Sequence, residues 1–241
     1  MKLSIVIPTL NEEKLLPVLL SQLQDVRRKY SNTEIIVSDG GSKDNTLQIA
    51  KEFECKIVND NSVNGNIASG RNFGAAHSSG DILLFINADI RFKSPESFFD
   101  YAYNQFLTTG CAAMTCYVTT FPEESRIADK LFHTFYNAYF ILLNKIGVGM
   151  GRGECQLVKK DIFESVGGYN IHLAAGEDFD LFRRIKNCGN KILFNTGFTV
   201  FESPRRYRKL GYIGVALLWT KNAVSILLKN KSISKVWEQV R

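Results

Sequence analysis

A short apolar run at residues 82–86 ends abruptly in Asn87, Ala88 and Asp89. Such a run, preceded by Gly80 and followed by polar residues, predicts a strand that is buried on both faces. The carboxyl ends of buried parallel strands face the crevice in which α/β proteins bind ligands. We therefore expect Asp89 to lie in that crevice, where its carboxylate could hold a hard divalent cation that also binds phosphates and water. The alternative is a loop aspartate that caps the next segment.

The first half of the chain repeats this alternation of short apolar runs with amphipathic helical segments. Such alternation predicts βαβ units and an α/β fold with a mostly parallel sheet. We expect Pro8 to stop the first strand and Asn11, Glu12 and Glu13 to begin the first helix, where acidic residues suit the helix dipole. The predicted strands are 3–7, 34–37, 55–58 and 82–86, and the helices begin near 11, 44 and 67.

The second half has weaker strand signals and longer helical ones. Residues 127–146 form a long aromatic helical pattern, and residues 177–187 form a shorter helical pattern with Gly189 as its stop signal. No linker, repeat or low-complexity tract interrupts the chain, so we expect a single domain over residues 1–241. The other predicted elements are strands at 112–119, 155–158 and 191–195 and helices at 161–166 and 210–228.

Polar clusters follow three predicted strands of the first half and should meet at one edge of the sheet. Besides residues 87–89, these are 8–12 and 38–42. Asp39 could accept hydrogen bonds from a base or ribose, or it could be an ordinary turn residue. No glycine-rich phosphate loop follows the first strand, which argues against a dinucleotide oxidoreductase and an ATPase.

The segment 176–185 contains a further candidate catalytic residue. If it forms a helix, the carboxylates of its first turn lie on different faces. Asp178 shares a face with the apolar Leu181 and Ile185 and should point toward the body of the protein or a cleft. Asp180 aligns with Arg184 and is expected to be a solvated ion-pair partner. A partly buried Asp178 with a raised pKa would suit a general base; the alternative is an aspartate that serves the helix dipole.

Composition and charge narrow the class of partner. The formal net charge is +6 and 45% of the 241 residues are hydrophobic, so we expect a packed globular protein with anionic partners. The five cysteines show no paired metal-ligand spacing and are expected to be reduced thiols. Because the first apolar run is too short for a signal peptide, we expect a cytoplasmic protein.

Taken together and in order, these motifs resemble glycosyltransferase family 2, whose members are inverting enzymes of the GT-A fold. The resemblance covers about residues 3 to 209 and rests on several loose motifs in a specific order. Residues 4–13 resemble the family's opening nucleotide-binding strand and turn, and 34–46 its second motif. The remaining motifs are 70–76, an Arg-Asn helix; 87–89, at the Asp-x-Asp position; 153–169, the acceptor-side segment; and 177–178, the Glu-Asp pair.

The resemblance implies a role for each matching position. Asp178 would be the catalytic base and Asp89 would hold Mg²⁺ or Mn²⁺. Residues of the acceptor or phosphate side would be Gly153, Glu177, Arg205 and Arg206. The donor site would contain Pro8, Thr9, Asn11, Glu12, Asp39, Gly41, Arg71, Asn87, Ala88 and Asp89.

The same resemblance divides the expected domain into three parts. Residues 1–110 would be the nucleotide-sugar-binding half, 111–209 the acceptor-side half with a small antiparallel portion of the sheet, and 210–241 a helical extension. The basic cluster at 202–209 could clamp a phosphate or be a solvated loop.

Two departures from the family pattern affect these expectations. Gly40 stands where many members carry a second aspartate, and Asn87 replaces the first aspartate of the metal motif. Asp89 would then be the principal carboxylate on the metal, so metal affinity without donor should be weak. The Gln-x-x-Arg-Trp signature of processive synthases is missing, which suggests transfer of a single sugar.

The expected partners are a UDP- or GDP-sugar and a saccharide or lipid-linked acceptor, without nucleic acid. The helices at 127–146 and 210–228 could meet a membrane surface, where Lys229, Lys231 and Lys235 would face anionic lipid, or they could be core or dimer helices. In the first case the protein would work at the cytoplasmic face of a membrane. The rival functions are a nucleotidyltransferase and a sugar-nucleotide-binding module without transfer activity.

Overall fold

The apolar runs of the first half form four parallel strands. The computed structural model describes residues 1–59 and 66–234. In it, β1 (Leu3–Thr9), β2 (Thr33–Asp39), β3 (Lys56–Asn59) and β4 (Ile82–Ile86) lie in the order β3–β2–β1–β4. β1 is the centre of this half, with β2 and β4 on its two sides in parallel register.

The second half extends the same sheet in mixed orientation. It adds β5 (Ile90–Phe92), β6 (Ala113–Thr120), β7 (Cys155–Lys159) and β8 (Ile192–Glu202), which give the order β3–β2–β1–β4–β7–β6–β8–β5. Of the strand pairs in the described residues, β4–β7, β6–β7 and β5–β8 are antiparallel. The predicted α/β class is confirmed, although the antiparallel share is larger than a small portion.

Helices cover both faces of this sheet. Alternating side chains of β1 separate the two cores: Leu3, Ile5 and Ile7 pack with α1 and α4 on one face, whereas Val6 packs with α3, α6 and α7 on the other. The helices are α1 (Leu16–Lys29), α2 (Thr46–Glu52), α3 (Ile67–Ala76), α4 (Pro95–Asn104), α5 (Ile127–Lys145), α6 (Lys160–Ser165), α7 (Glu177–Asn187), α8 (Arg205–Leu210) and α9 (Tyr212–Lys229). Within the described ranges, no helix is both long and apolar enough to cross a membrane.

Pro8 does not stop the first strand, contrary to expectation. β1 continues to Thr9, and Pro8 is paired in register with Ser38 of β2. Pairing with β4 extends only from Leu3 to Val6, so β1 has a neighbour on one side at Pro8. A proline is tolerated there for the same reason that it is tolerated in an edge strand.

The prediction that Asn11, Glu12 and Glu13 begin the first helix was also wrong. α1 begins at Leu16, because the polar groups of residues 11–13 bond instead to the loop after β2 and to the first residue of α2. The backbone N–H of Glu12 donates to Thr46 Oγ1 at 2.7 Å, and Asn11 Oδ1 accepts from the Lys43 N–H at 2.6 Å. The two loops therefore brace each other at the edge of the sheet.

Three elements near the second half differ from the sequence prediction. The last strand is not confined to residues 191–195 but runs to Glu202, and α4 and the short β5 were not predicted. Most of the basic cluster at 202–209 lies in the helix α8, and Gly211, with φ of +71°, separates α8 from α9. The predicted helix at 210–228 therefore begins two residues later.

Candidate active site

The carboxyl ends of β1, β2 and β4 lie side by side, as the parallel order requires. Asp39 ends β2 and is 2% exposed. One of its carboxylate oxygens accepts from Thr9 Oγ1 at 3.1 Å, and the other accepts from the N–H groups of Gly41 and Ser42 at 2.8 Å. The carboxylate of Asp39 thus organises its own turn, in which Gly41 has a φ of +95° that favours glycine.

Arg71 of α3 joins the first half of the site to the second. Its fully buried guanidinium donates to Glu177 Oε1 at 2.9 Å, to Asn87 Oδ1 at 2.9 Å and to the Gly153 carbonyl at 2.7 Å. These three acceptors belong to the start of α7, the end of β4 and the segment before β7. Arg71 therefore fixes three site segments relative to one another, and Asn87 is held by this hydrogen bond.

Asp178 is half-buried in the first turn of α7, as its helical position predicted. Its Oδ2 accepts from the Gly153 N–H at 3.0 Å and its Oδ1 from the Phe179 N–H at 2.8 Å. Burial raises the pKa of Asp178 to about 7, and the charges of Glu177 and Glu154 act in the same direction, against Arg71. A carboxylate with this pKa accepts a proton readily at neutral pH.

Gly153 leaves room for the carboxylate of Asp178. A Cβ at this position would lie 3.1 Å from Asp178 Oδ2 and 3.4 Å from Arg71 Nη2. The contact with Arg71 is an ordinary van der Waals distance, but the contact with Asp178 is too short, so a side chain at residue 153 would shift the carboxylate by a few tenths of an ångström.

Asp180 is an ion-pair partner, as predicted, but it is buried rather than solvated. It is 4% exposed, and its Oδ2 accepts from Arg184 Nε at 2.7 Å. Arg184 also donates to the Gly168 carbonyl at 2.7 Å. The helical wheel placed Asp180 on a polar face, but the segment that ends at Tyr169 covers that face.

Asp89 follows β4 and forms an ion pair. Arg205 Nη2 donates to Asp89 Oδ2 at 2.8 Å and lies 3.3 Å from Glu12 Oε2. Two carboxylates from different strand ends therefore converge on one cationic group. In the described part of the chain, no group of three or more histidine, cysteine, aspartate or glutamate side chains forms a metal site by itself.

A buried cluster of one arginine and two glutamates lies beside these residues, and none of the motifs described above predicts it. Arg152 is 2% exposed, and its Nε donates to Glu154 Oε2 at 3.1 Å, while its Nη2 lies 3.6 Å from Glu202 Oε1. Burial favours neutral carboxyl groups, but the charge and hydrogen bond of Arg152 lower the pKa of Glu154 to about 2. Burial, and next the charge of Glu154, raise the pKa of Glu202 well above its ordinary value, against the charge of Arg152. Only the polar run 151–154 before β7 signals this cluster in the sequence.

These groups line a cleft of about 440 Å³. Its charged wall comes from the end of β4, the start of α7 and the segments 152–154 and 202–206. Of the predicted site residues, it brings together Arg71, Asn87, Asp89, Gly153, Glu177, Asp178, Arg205 and Arg206. The others are not part of this lining and lie at the ends of β1, β2 and β4 or in the following loops; they are Pro8, Thr9, Asn11, Glu12, Asp39, Gly41 and Ala88.

A family model described as Glycosyl transferase family 2 matches residues 4–167, which include nearly all of β1 and the whole of β2 to β7, and which contribute Arg71, Asn87, Asp89 and the segment 152–154 to the cleft. The chain belongs to glycosyl transferase family 2. The matched region ends at Gly167, before Asp178 and Arg205, so the family match does not itself assign these two residues.

Named relatives match most of the chain. It is 38% identical over 235 residues to a 4,4′-diaponeurosporenoate glycosyltransferase of Staphylococcus haemolyticus, which covers 91% of this chain and 60% of the relative. It is 26% identical over 201 residues to the glycosyltransferase AglE of Haloferax volcanii, which covers 79% of this chain and 63% of that protein. The chain thus spans about three fifths of the length of these relatives.

Solved structures share the GT-A fold with this chain. A mannosyltransferase from Pyrobaculum calidifontis, in complex with GDP-Man and Mn²⁺, matches with a TM-score of 0.65 and 17% identity over 90% of this chain and 64% of its own. Glucosyl-3-phosphoglycerate synthase from Mycobacterium tuberculosis, in complex with Mn²⁺, UDP and glucosyl-3-phosphoglycerate, matches with a TM-score of 0.62 and 18% identity over 94% of this chain and 78% of its own. At these identities the likeness establishes the fold alone.

Proposed function

We propose that this protein transfers one sugar from a nucleotide-sugar donor to an acceptor hydroxyl, with inversion at the anomeric carbon. The observation that carries the proposal is Asp178, a carboxylate with a pKa of about 7 that lines a cleft also lined by Asp89 and Arg205. A general base of this kind belongs to a displacement reaction, whereas a binding module has no need of it.

The donor nucleotide would lie at the ends of β1, β2 and β4. The loops after β1 and β2 brace each other there, and Asp39, which would accept hydrogen bonds from the base or ribose, lies at the end of β2. The two solved structures described above contain GDP-Man or UDP, which supports a nucleotide diphosphate as donor headgroup. The net charge of +6 also favours an anionic donor.

The residues at Asp89 fit a divalent cation. Asp89 and Glu12 already share one cationic group, the guanidinium of Arg205, so their oxygens form a position that favours positive charge. Mg²⁺ and Mn²⁺ take oxygen ligands, and one or two carboxylates suffice when donor phosphates and water complete the shell. Bound with the donor, the cation would supply Lewis-acid stabilisation of the departing diphosphate.

The chemical step is a direct displacement. An Oδ of Asp178 takes the proton of the acceptor hydroxyl while the hydroxyl oxygen forms a bond to the anomeric carbon. The bond from that carbon to the diphosphate oxygen breaks, and its electron pair leaves with the nucleoside diphosphate. Arg205, which is paired with Asp89, would also oppose the negative charge that grows on the departing diphosphate. Asp178 later releases its proton to water.

The proposal includes transfer of a single sugar and a cytoplasmic setting, where the acceptor would be a saccharide or a lipid-linked molecule. All five cysteines, each within the described residues, are free thiols, which fits a reducing compartment. The relative from Staphylococcus haemolyticus is named for 4,4′-diaponeurosporenoate and another relative is named an O-antigen chain rhamnosyltransferase, so the names do not agree on one acceptor.

A panel of UDP-, GDP- and dTDP-sugars tests this function against its rivals. With Mn²⁺ present, we expect slow release of free sugar and nucleoside diphosphate from at least one donor, because water can replace the acceptor. A nucleotidyltransferase would instead consume nucleoside triphosphate and release pyrophosphate. A binding module would bind a donor without turnover, so binding without hydrolysis or transfer would contradict the proposal.

Asp89→Ala is expected to remove metal-dependent donor binding. The variant loses the carboxylate that would bind the cation and leaves Arg205 with Glu12 alone. Calorimetric titration of the donor, with and without Mn²⁺, measures the effect; the Mn²⁺-dependent gain in affinity should disappear in the variant. Asp81→Ala is the matched control, since Asp81 precedes β4 and accepts from the Lys2 N–H at the opposite end of the strand. An unchanged Mn²⁺ effect in Asp89→Ala would contradict the assignment.

A further inference from the structure

A second wall of the cleft is apolar, and most of it comes from elements that do not form the charged wall. α5 contributes Tyr136, Phe140 and Leu143, the segment before Arg152 contributes Val148 and Met150, and α9 contributes Leu218, Trp219 and Leu227. Phe179, the residue after Asp178, packs in the same apolar cluster as Tyr136 and Phe140. The proposed base therefore lies where the charged and apolar walls meet.

The outer surfaces of α5 and α9 carry most of the exposed apolar side chains. Of the fifteen large hydrophobic residues that are exposed in the described part of the chain, eleven lie on these two helices or at the end of α5. Those of α5 recur every three or four residues and form a continuous stripe over about 28 Å of helix. They are Ile127, Leu131, Phe135, Tyr139, Leu142 and Ile146 on α5, and Ile213, Leu217, Val224, Leu227 and Leu228 on α9.

The apolar part of the cleft is continuous with this exposed face. Tyr139, Val224 and Leu227 belong to both, because each is at least 42% exposed and each lines the cleft. An apolar chain could therefore pass from the surface into the cleft without leaving apolar contacts.

The charges on these two helices indicate what covers the face. Lys130, Lys145, Lys221 and Lys229 are exposed, whereas the acidic residue of the two helices, Asp129, is buried in an ion pair with Arg208. Lysines around an apolar helix face are typical of contact with an anionic membrane surface. A second copy of the chain would instead bring lysines of like charge together and cover the mouth of the cleft.

We propose that the acceptor is an amphiphilic lipid whose reacting hydroxyl adjoins a long hydrocarbon chain. The chain lies between α5 and α9 in the apolar part of the cleft, and the lipid enters from an anionic membrane surface on which the exposed face docks. This inference rests on the proposed function, since it places the acceptor of that reaction. Lys229 and Lys231 flank the end of α9; Lys235 lies outside the described residues.

Alkyl β-glucosides of increasing chain length, used below their micelle concentrations, test the apolar subsite. Each carries sugar hydroxyls beside a hydrocarbon chain, so affinity should rise up to about fourfold per added methylene, the equivalent of ~0.8 kcal/mol. In Val224→Gln/Leu227→Gln this dependence should weaken clearly. These two side chains are about half exposed, so the variant should fold. An affinity that does not depend on chain length in the wild-type protein would overturn the subsite.

Liposome co-sedimentation tests the docking surface. The wild-type protein should bind vesicles of equal parts phosphatidylglycerol and phosphatidylcholine, and Leu131→Ser/Phe135→Ser should bind about tenfold more weakly, because both exposed side chains would be buried in the lipid. Val18→Ser/Leu107→Ser is the matched control, with exposed apolar residues outside α5 and α9, and should bind as the wild type does.

Three results would overturn the inference. Two come from the co-sedimentation: equal loss of binding in both variants, or no association of the wild-type protein at low salt. The third, from a separate measurement of the oligomeric state, is concentration-dependent dimerisation that Leu131→Ser/Phe135→Ser abolishes, since the face would then be an interface between copies. Hydrolysis of the donor with Mn²⁺, measured on the same samples, separates the failures: intact hydrolysis leaves the proposed function standing, whereas its absence removes both.

Discussion

Asp178→Asn is expected to lower the rate of sugar transfer by about 10²- to 10⁴-fold, the usual contribution of a general base. Asparagine keeps the size of the side chain and its contact with the Gly153 N–H but cannot take the acceptor proton. Donor affinity should change little, because the nucleotide is proposed to contact the ends of β1, β2 and β4, whereas Asp178 belongs to α7. Single-turnover transfer and donor titration measure the two effects separately.

The pH dependence of kcat/KM also tests the assignment of Asp178 as the base. Because the pKa of Asp178 is about 7, the fraction of the ionised base falls below neutrality. The wild-type kcat/KM should therefore fall about tenfold for each pH unit below that value and level off above it. The residual activity of Asp178→Asn should lack this limb; a variant with near-normal turnover would contradict the assignment of the base.

Stability provides a readout that does not depend on turnover. Burial raises the pKa of Asp178 in the folded state above its ordinary value of 3.8, so the fold favours the neutral acid. The stability that this preference confers is fully present below about pH 4 and is lost as the pH rises through 7. Asparagine stays neutral, so the Tm of Asp178→Asn relative to the wild type should increase from pH 4 to 8.

Asp161→Asn is a matched control for this pH dependence. Asp161 also lies in the first turn of a helix, and its Oδ1 also accepts from the next backbone N–H, but its side chain is exposed. The difference in Tm between this variant and the wild type should not rise in the same way. An equal rise in both would show that the effect is not a consequence of burial at residue 178.

The parallel half of the fold could be predicted from the sequence because each buried strand is a short apolar run bounded by polar residues. β4 is the clearest case, and its predicted bounds of 82–86 are those of the structure. The predicted bounds were wrong where long-range contacts, and not the local sequence, determine where an element begins or ends. The N–H groups of Glu12 and Glu13 fit a helix start, but they donate to Thr46, the first residue of α2, and to Asp44 in the loop before it. β5 has three residues and depends on pairing with β8, which no local pattern indicates.

The candidate site divides in the same way. The position of Asp178 followed from helical spacing, and that of Asp89 followed from its place at a strand end. The burial of Arg71 and Asp180 could not be derived from local sequence. Arg71 is covered by segments about 80 or more residues away, and Asp180 is covered by the preceding loop, which folds back onto α7. The cluster of Arg152, Glu154 and Glu202 joins β7 to the end of β8, so its charges meet only in the folded chain.

Arg71→Met should destabilise the protein by about 3–5 kcal/mol, the usual cost of removing one partner of a buried ion pair. The wild-type pair with Glu177 is nearly inaccessible to water, at 1% and 5% side-chain exposure. Without the guanidinium, Glu177, Asn87 Oδ1 and the Gly153 carbonyl lose their partner in a buried setting. Thermal unfolding should show a fall in Tm of roughly 6–20 °C for a chain of this size.

Two further variants distinguish a broken ion pair from lost packing. Arg28→Met removes an ion pair with Asp25 in which both side chains are more than 70% exposed, and it should change the free energy of unfolding by less than about 1 kcal/mol. Arg71→Met/Glu177→Leu removes both buried charges and should recover much of the stability that the single variant loses. Activity should not recover, because the start of α7 and the Gly153 segment, which together hold the carboxylate of Asp178, would no longer share a hydrogen-bonding partner. If the double variant were both stable and active, Arg71 would stabilise the fold without positioning the base.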